Sequence, residues 1–438
     1  MDPIGRLYEL LLTISRPLLH LSGVLPPKVA AAIEGRQGAA EAAGAWASAE
    51  PPTEAPLLWL HAASAGELAG AVPVIRVLRE RTPDLRIAIT VSSPSALLDA
   101  RNLEPDFAGY APLDTLSECG QMIAALAPDA LVFAKLDIWP GLSRAANRAG
   151  VPLGLINGTV RPDSSRLRSP TRQFLRSTYA RLDAAGVVDA RDAEALGLLG
   201  VKPGRIRITG DAAFDQALAR VNAAQASGRH LLPARATDRV RLIGGSTWPA
   251  DESVLLEAAR EIGPRLDLVL VPHEPTAEAL ARIDDACRAA WGESPRLWSR
   301  LDQTPAEDAK LPLVVDTVGR LAELYLEGDL SLVGGAFDAT GLHSVIEPAA
   351  AGLPVLFGPL YDRREADDLL AAGGADVVTP GQATRTILEY VEDSGRRRSA
   401  GEAARGYVES GAGAEGANAE LVEELLALGL SRRTRRSG

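Results

Sequence analysis

The sequence predicts an α/β protein made of two doubly wound parallel sheets. Three observations lead there. Short apolar runs alternate with segments of helical spacing from residue 57 onward. The alternation lapses between Ala212 and Asp238 and restarts at Val240. The stretch 328–359, GDLSLVGGAFDATGLHSVIEPAAAGLPVLFGP, reads on its own as strand, glycine turn, helix and strand. A chain of 438 residues also exceeds one ordinary core, so two domains with an interdomain cleft for a ligand are expected.

Composition narrows the function classes. Hydrophobic content of 46% and charged content of 24% are those of a globular chain. A formal charge of −11 argues against general nucleic-acid binding, although the last residues, SRRTRRSG, are basic. With only Cys119 and Cys287, neither a disulfide framework nor a zinc site is expected, and a reducing compartment is the default.

Residues 4–25 are mostly apolar but interrupted by Arg6, Glu9, Arg16 and His20, which makes a poor spanning helix and a poor secretory signal. Two readings stay open: an amphipathic segment lying on a membrane face, or a helix packed on the protein itself. Residues 30–56, rich in Ala, Glu, Gly and Pro, read as helix fragments and a linker. Strands are expected at 57–60, 86–91, 130–133, 152–156, 184–188 and 205–208, then at 240–243, 268–271, 313–315, 330–333, 355–357 and 375–378. Helical sequence from about 384 to 428 closes the chain. The resulting division is a membrane-associated segment at 1–25, a first domain at 26–215 and a link at 216–238. A second domain follows at 239–405, then a terminal helix and basic tail at 406–438.

Three turns of the second half stand at strand ends, where ligands of open α/β sheets bind. Gly245-Ser246-Thr247 precedes a helix opened by Pro249 with acids in its first turn, and offers hydroxyls and N–H groups suited to a phosphate. His273 follows the strand at 268. Gly334, Gly335, Gly341, His343 and Ser344 form the third turn, and Glu347, one helical turn further on, is placed to accept hydrogen bonds from a ribose diol. An ordinary βαβ turn is the plainer alternative for any one of them; three together point to a nucleotide-type ligand. In the first half, Glu67 begins a helix just after a strand and Gly66. Its carboxylate suits a general base toward a hydroxyl nucleophile, against the alternative of a Glu favoured by the helix dipole. His61 and Ser64 beside it could form a hydrogen-bonding pair. The absence of Gly-x-Ser-x-Gly around Ser64 argues against a serine hydrolase.

The motifs HAASAGE, DIWPGL, LINGTV, GGSTWPADE, VPHEP, DTVGRLAELY and GGAFDATGLHSVIEPAAAGLPVLFGP resemble, in order and spacing, those of the 3-deoxy-D-manno-octulosonic acid (Kdo) transferases. The resemblance runs from about residue 57 to 380, and the apolar start is also similar to that family's. It implies a GT-B fold and transfer of Kdo from CMP-Kdo to the lipid A precursor, with inversion and without a bound metal or other cofactor. It further implies a peripheral enzyme on the cytoplasmic face of the bacterial inner membrane. By the same resemblance Glu67 is the general base, with His61, Ser64 and Gly66 on the acceptor side. The turn Gly245, Ser246, Thr247 and the residues Gly334, Gly335, Gly341, His343 and Glu347 form the donor nucleotide site. Asp316 and Gly319 fall in the family's Asp-Thr-x-Gly turn.

The chain also departs from the family pattern. Lys135 stands where many members have Glu, which reverses a charge near Glu67. It should lower the Glu67 pKa, pair with Glu67, or contact an anionic group of acceptor or donor. Ser344 replaces a common Asn, Arg320 a common Glu, and His273-Glu274-Pro275 an Arg-His-Pro. These departures keep two other readings in view: a related enzyme using another nucleotide sugar or acceptor, and a relative that binds without catalysis.

Overall fold

The computed structural model describes residues 8, 27–50, 53–303 and 310–437. They form two compact units, one of residues 1–216 with 412–438 and the other of residues 217–411.

The first unit holds a seven-stranded sheet: β1 (Leu57–Ala62), β2 (Arg86–Val91), β3 (Phe107–Tyr110), β4 (Ala130–Ala134), β5 (Leu153–Gly158), β6 (Ala184–Val187) and β7 (Ile206–Ile208). The order is β3-β2-β1-β4-β5-β6-β7, with every neighbouring pair parallel. Helices cover both faces, so β1 and β4 are buried along their whole length; β4 reads as an unbroken apolar run and β1 as one interrupted only by His61. The second unit repeats the plan with β8 (Val240–Thr247), β9 (Leu266–Pro272), β10 (Arg296–Leu297), β11 (Leu313–Val314), β12 (Leu330–Val333), β13 (Val355–Phe357) and β14 (Ala375–Val377). Its order is β10-β11-β9-β8-β12-β13-β14, again parallel throughout.

Twelve of these strands coincide with the expected ones. The two unexpected strands are β3 and β10, both at sheet edges, where short segments pair on one side only. Residues 30–56, expected to hold helix fragments and a linker, hold most of helix Pro27–Gln37 and all of helix Ala39–Ala49. The second buries Ala39 and Ala43, whose small side chains let it close over Trp59 and Phe107. The expectation for 1–25 lies outside the described residues except at Tyr8, whose hydroxyl donates to Asp114 Oδ2 at 2.9 Å. Among the described residues no helix is long and apolar enough to cross a membrane.

The chain leaves the first unit within one helix, Ala212–Ser227, and returns at the other end of the sequence. Helix Ala414–Ser437 lays Leu421, Val422, Leu425 and Leu426 into the core formed by Leu58, Leu60 and Val132. Gly429 permits this approach, since a Cβ there would lie 1.7 Å from the Asp129 carbonyl oxygen. Part of the basic tail is likewise tied down: Arg432 pairs with Asp183 at 3.0 Å and Arg433 with Asp129 at 3.3 Å.

Asn157, at the end of β5, joins these pieces. Its φ of +52° is one that asparagine tolerates better than most residues. Its Nδ2 donates to Gly70 O at 2.8 Å, and its Oδ1 accepts from Ala212 N at 3.1 Å and Asn418 Nδ2 at 3.2 Å. The residue is fully buried. Asn157→Ala leaves three buried polar groups without this partner, each costing roughly 1–3 kcal/mol. We expect at least about 3 kcal/mol to be lost from the first unit in urea unfolding, with the second unit's transition unchanged.

Candidate active site

Strand order in the first sheet reverses between β1 and β4, and that switch point gathers Glu67, Lys135 and Asp137 at the carboxyl edge. Glu67 lies in the first turn of helix Ala65–Arg81, whose N-cap is Ser64. Ser64 Oγ accepts from Glu67 N at 3.4 Å, and Glu67 Oε2 accepts from Ala63 N at 2.6 Å and Ser64 N at 3.2 Å. This capping box fixes the carboxylate rotamer. Both bonds fall on Oε2; Oε1 makes none among the described residues. Burial, and secondarily the charge of Asp137, raise the Glu67 pKa above the ordinary glutamate value; the two N–H groups and Lys135 pull the other way and lose. The expectation that Lys135 sets the direction is therefore corrected: its effect has the expected sign but is outweighed. No ion pair between Lys135 and Glu67 forms among the described residues. Lys135 itself is held at φ +60°, an uncommon conformation for a side-chain-bearing residue at a strand end. Asp137 is ion-paired with Arg166.

His61 does not join Ser64. On β1 its ring turns into the core, where Nδ1 bonds Thr90 O at 3.1 Å and Thr90 Oγ1 at 3.0 Å, and Phe133 and Trp139 meet the ring edge-on. Burial, aided by the Arg36 charge, lowers its pKa to about 4. It is a neutral core residue rather than a substrate contact. Gly66 is exposed, with open space where its Cβ would be.

The second sheet reverses between β8 and β12, and here the glycine turns meet. Gly334 N donates to Gly245 O at 2.9 Å, His343 N to Gly334 O at 3.1 Å, and Gly335 N and Trp248 N to Asp251 Oδ2 at 2.9 and 2.7 Å. These four amides are thus bonded within the protein. The glycines serve the same contact: a Cβ on Gly334 would lie 2.3 Å from Ser246 O, and one on Gly245 would lie 2.0 Å from Tyr325 Oη. Burial pushes the Asp251 pKa up to about 6 despite its two N–H donors. Thr247 also faces inward, its hydroxyl against Glu252 at 3.4 Å. The helix after this turn is shorter than expected, Ile346–Ala350, and offers no extended N-terminus.

What remains open to a ligand is made of side chains. Trp248, His273 and His343 stack, with ring centroids 4.9 Å apart for Trp248–His273 and 4.4 Å for His273–His343. Trp248 Nε1 donates to His343 Nε2 at 3.0 Å, and burial lowers the His343 pKa to about 4, so the acceptor nitrogen stays unprotonated. Ser246, at φ +52°, keeps a hydroxyl with no hydrogen bond among the described residues. Ser344 is exposed at the same loop. Gly319, at φ +81°, and Glu347 line a separate cavity of about 480 Å³ with Arg220, Arg229 and Leu321. There Glu347 is ion-paired with Arg220 of the crossing helix. Asp316 stands apart, accepting from Ser299 N at 3.0 Å and from the Ser299 hydroxyl; it supports the turn rather than a ligand. Gly341, at φ +99°, is exposed.

Sequence reading did not single out Trp248, Asp251, Arg220 or Asp137 as site residues. The first two lie inside the GGSTWPADE motif and Asp137 inside DIWPGL, so a local signal existed. Arg220 had none, because its partner is 127 residues away.

Comparison with known proteins bears on both units. Residues 35–216 match the family model described as 3-Deoxy-D-manno-octulosonic-acid transferase (kdotransferase). The 3-deoxy-D-manno-octulosonic acid transferase of Bordetella pertussis is 29% identical over 400 residues, spanning 87% of this chain and 90% of that protein. The same-named protein of Chlamydophila psittaci is 27% identical over 370 residues, spanning 83% and 82%. Among solved structures, UDP-GlcNAc 2-epimerase from Neisseria meningitidis superposes with a TM-score of 0.57 at 15% identity, over 85% of this chain and 99% of that one. MurG of Acinetobacter baumannii gives 0.52 at 15%, over 84% and 99%. These two speak for the fold alone, a pair of Rossmann-like units of GT-B type. The motifs, the switch-point glutamate and the matches agree: residues 35–216 belong to the 3-deoxy-D-manno-octulosonic-acid transferase (kdotransferase) family, and the whole chain is a relative of its full-length members.

Proposed function

We propose that the chain is an inverting glycosyltransferase that moves Kdo from CMP-Kdo to a lipid A precursor in lipopolysaccharide synthesis. The observation that carries this reading is Glu67: a carboxylate fixed through one oxygen, free at the other, with a raised pKa, at the switch point of the family-matched unit. An acceptor hydroxyl gives its proton to Oε1 as its oxygen attacks the anomeric carbon. The bond from that carbon to the phosphate oxygen breaks, and CMP departs with the electron pair. A positioned base contributes roughly 10²–10⁴-fold, and holding donor and acceptor in line contributes more. On this reading CMP-Kdo is a substrate and no separate cofactor or metal takes part. Ser246, His273, His343 and Ser344 would face the phosphate, and Glu347 the ribose, with Arg220 holding its carboxylate in place. Peripheral attachment to the cytoplasmic face of the inner membrane through residues 1–25 completes the proposal, supported by their apolar but charge-interrupted sequence.

A second reading, the same fold with another nucleotide sugar or acceptor, is favoured by Lys135 and by glycine-turn amides already bonded within the protein. Competition binding separates the two: CMP displaces a fluorescent nucleotide at lower concentration than UDP or GDP on the first reading, and the reverse order rules it out.

Glu67→Gln keeps a carbonyl oxygen to accept from Ala63 N and Ser64 N, so the helix cap survives. We expect kcat to fall by roughly 10²–10⁴-fold with CMP affinity unchanged; activity within a few-fold of wild type would remove Glu67 as the base. The acid limb of kcat/KM should lie above the ordinary glutamate range. Lys135 favours the ionised carboxylate and Asp137 opposes it, so Lys135→Ala should move that limb to higher pH and Asp137→Asn to lower pH. A pH–rate series on both variants checks the signs.

A further inference from the structure

The ring cluster of the second unit fixes the position of one proton. Trp248 Nε1 and His343 Nε2 are 3.0 Å apart, the two ring planes are inclined by only 8°, and the centroids are 6.4 Å apart. Indole and imidazole therefore lie edge to edge, joined by an in-plane hydrogen bond, rather than face to face. His273 stacks over both, its centroid 4.9 Å from that of Trp248 and 4.4 Å from that of His343. Backbone contacts hold the pair in place. Trp248 N and Gly335 N donate to the same Asp251 oxygen, and His343 N donates to Gly334 O.

The nature of the partner makes this bond informative. An indole nitrogen donates and cannot accept. A hydroxyl in its place does either, and leaves an imidazole free to choose its tautomer. Opposite Trp248, the Nε2 of His343 must present its lone pair, so the single proton of the neutral ring sits on Nδ1. The ring is neutral near pH 7, because burial, and then the charges of His273 and Arg363, lower its pKa to about 4. Nδ1 makes no hydrogen bond among the described residues, and His343 is only half-buried. An N–H donor of fixed direction is thus left open on the turn that also carries Ser344.

We propose that Trp248 is a positioning residue: its indole N–H locks His343 in the Nδ1–H tautomer, so that a neutral imidazole donates a hydrogen bond to a phosphate oxygen of the nucleotide donor. The inference rests on the donor reading of this turn given above and names how the turn grips the phosphate. A neutral N–H meeting an anionic oxygen makes a charge-assisted bond, whereas the other tautomer turns a lone pair toward the anion. Losing such a bond costs about tenfold in affinity. Trp248 acts on the ligand only through His343.

The test reads the proton directly, by nitrogen NMR of the full chain labelled at its histidines near neutral pH. The His343 signals are identified by their loss in His343→Asn. In wild type Nδ1 should carry the proton and Nε2 none; a proton on Nε2 overturns the lock without recourse to a variant. Trp248→Phe keeps a stacking ring and removes the N–H. It should give a mixture of tautomers and lower CMP affinity about tenfold, while the affinity for cytidine, which lacks the phosphate, stays unchanged. Equal losses for CMP and cytidine mean that the indole only shapes the turn, and overturn the proposal; so does an unaltered tautomer. In the His343→Asn background Trp248→Phe should add no further loss, since no imidazole remains for it to act on; a second tenfold loss there overturns the route through His343. Wild type that shows the locked tautomer but binds CMP no better than cytidine overturns the phosphate contact. Wild type that binds neither overturns the donor reading beneath it.

Discussion

One side-chain amide, that of Asn157, holds the first unit in the form its chemistry needs. It is buried at the carboxyl end of β5, and its three hydrogen bonds reach the helix that carries Glu67 in its first turn, the helix that leaves the unit, and the helix that comes back to it. Asn418 extends the set, donating to Ala414 O and accepting from Thr209. A buried network of this kind specifies one arrangement because any slip leaves several polar groups unbonded in low dielectric. The carboxylate at residue 67 is thus placed by contacts on two scales: the cap sets its rotamer, and the Gly70 carbonyl, one turn on, ties its helix to β5.

Both sheets put their polar machinery where strand order reverses, but they build it differently. In the first, a single carboxylate is balanced between burial and Asp137 on one side and Lys135 with two amides on the other, and burial prevails. In the second, backbone amides close on Asp251 and on neighbouring carbonyls, leaving hydroxyls and an indole–imidazole stack at the surface of the turn. The groups left exposed there are side chains set on a rigid glycine scaffold.

The sheets were legible in the sequence because strands covered on both faces are mostly apolar, and glycine turns mark their ends. β3 and β10 escaped because an edge strand needs only a few residues and no continuous run. Residues 30–56 were legible as helix fragments but not as packed helices, because alanine makes close helix packing without a bulky apolar signature. At the site, Glu67 was legible from its place after a strand and before a helix. His61 was misread because a strand residue alternates faces, and a polar side chain can turn inward when Thr90 is there to bond it. The partnership of Arg220 with Glu347 lay beyond sequence reading, since nothing local reports a contact across 127 positions.

The return of the chain to its starting unit has a consequence for synthesis. Leu421, Val422, Leu425 and Leu426 complete a core whose strands were made more than 200 residues earlier. On the ribosome the second unit can close while the first still exposes the groove those leucines fill. The half that bears Glu67 is therefore the last to mature, and a message truncated near its 3′ end yields a finished second unit and an open, aggregation-prone first one.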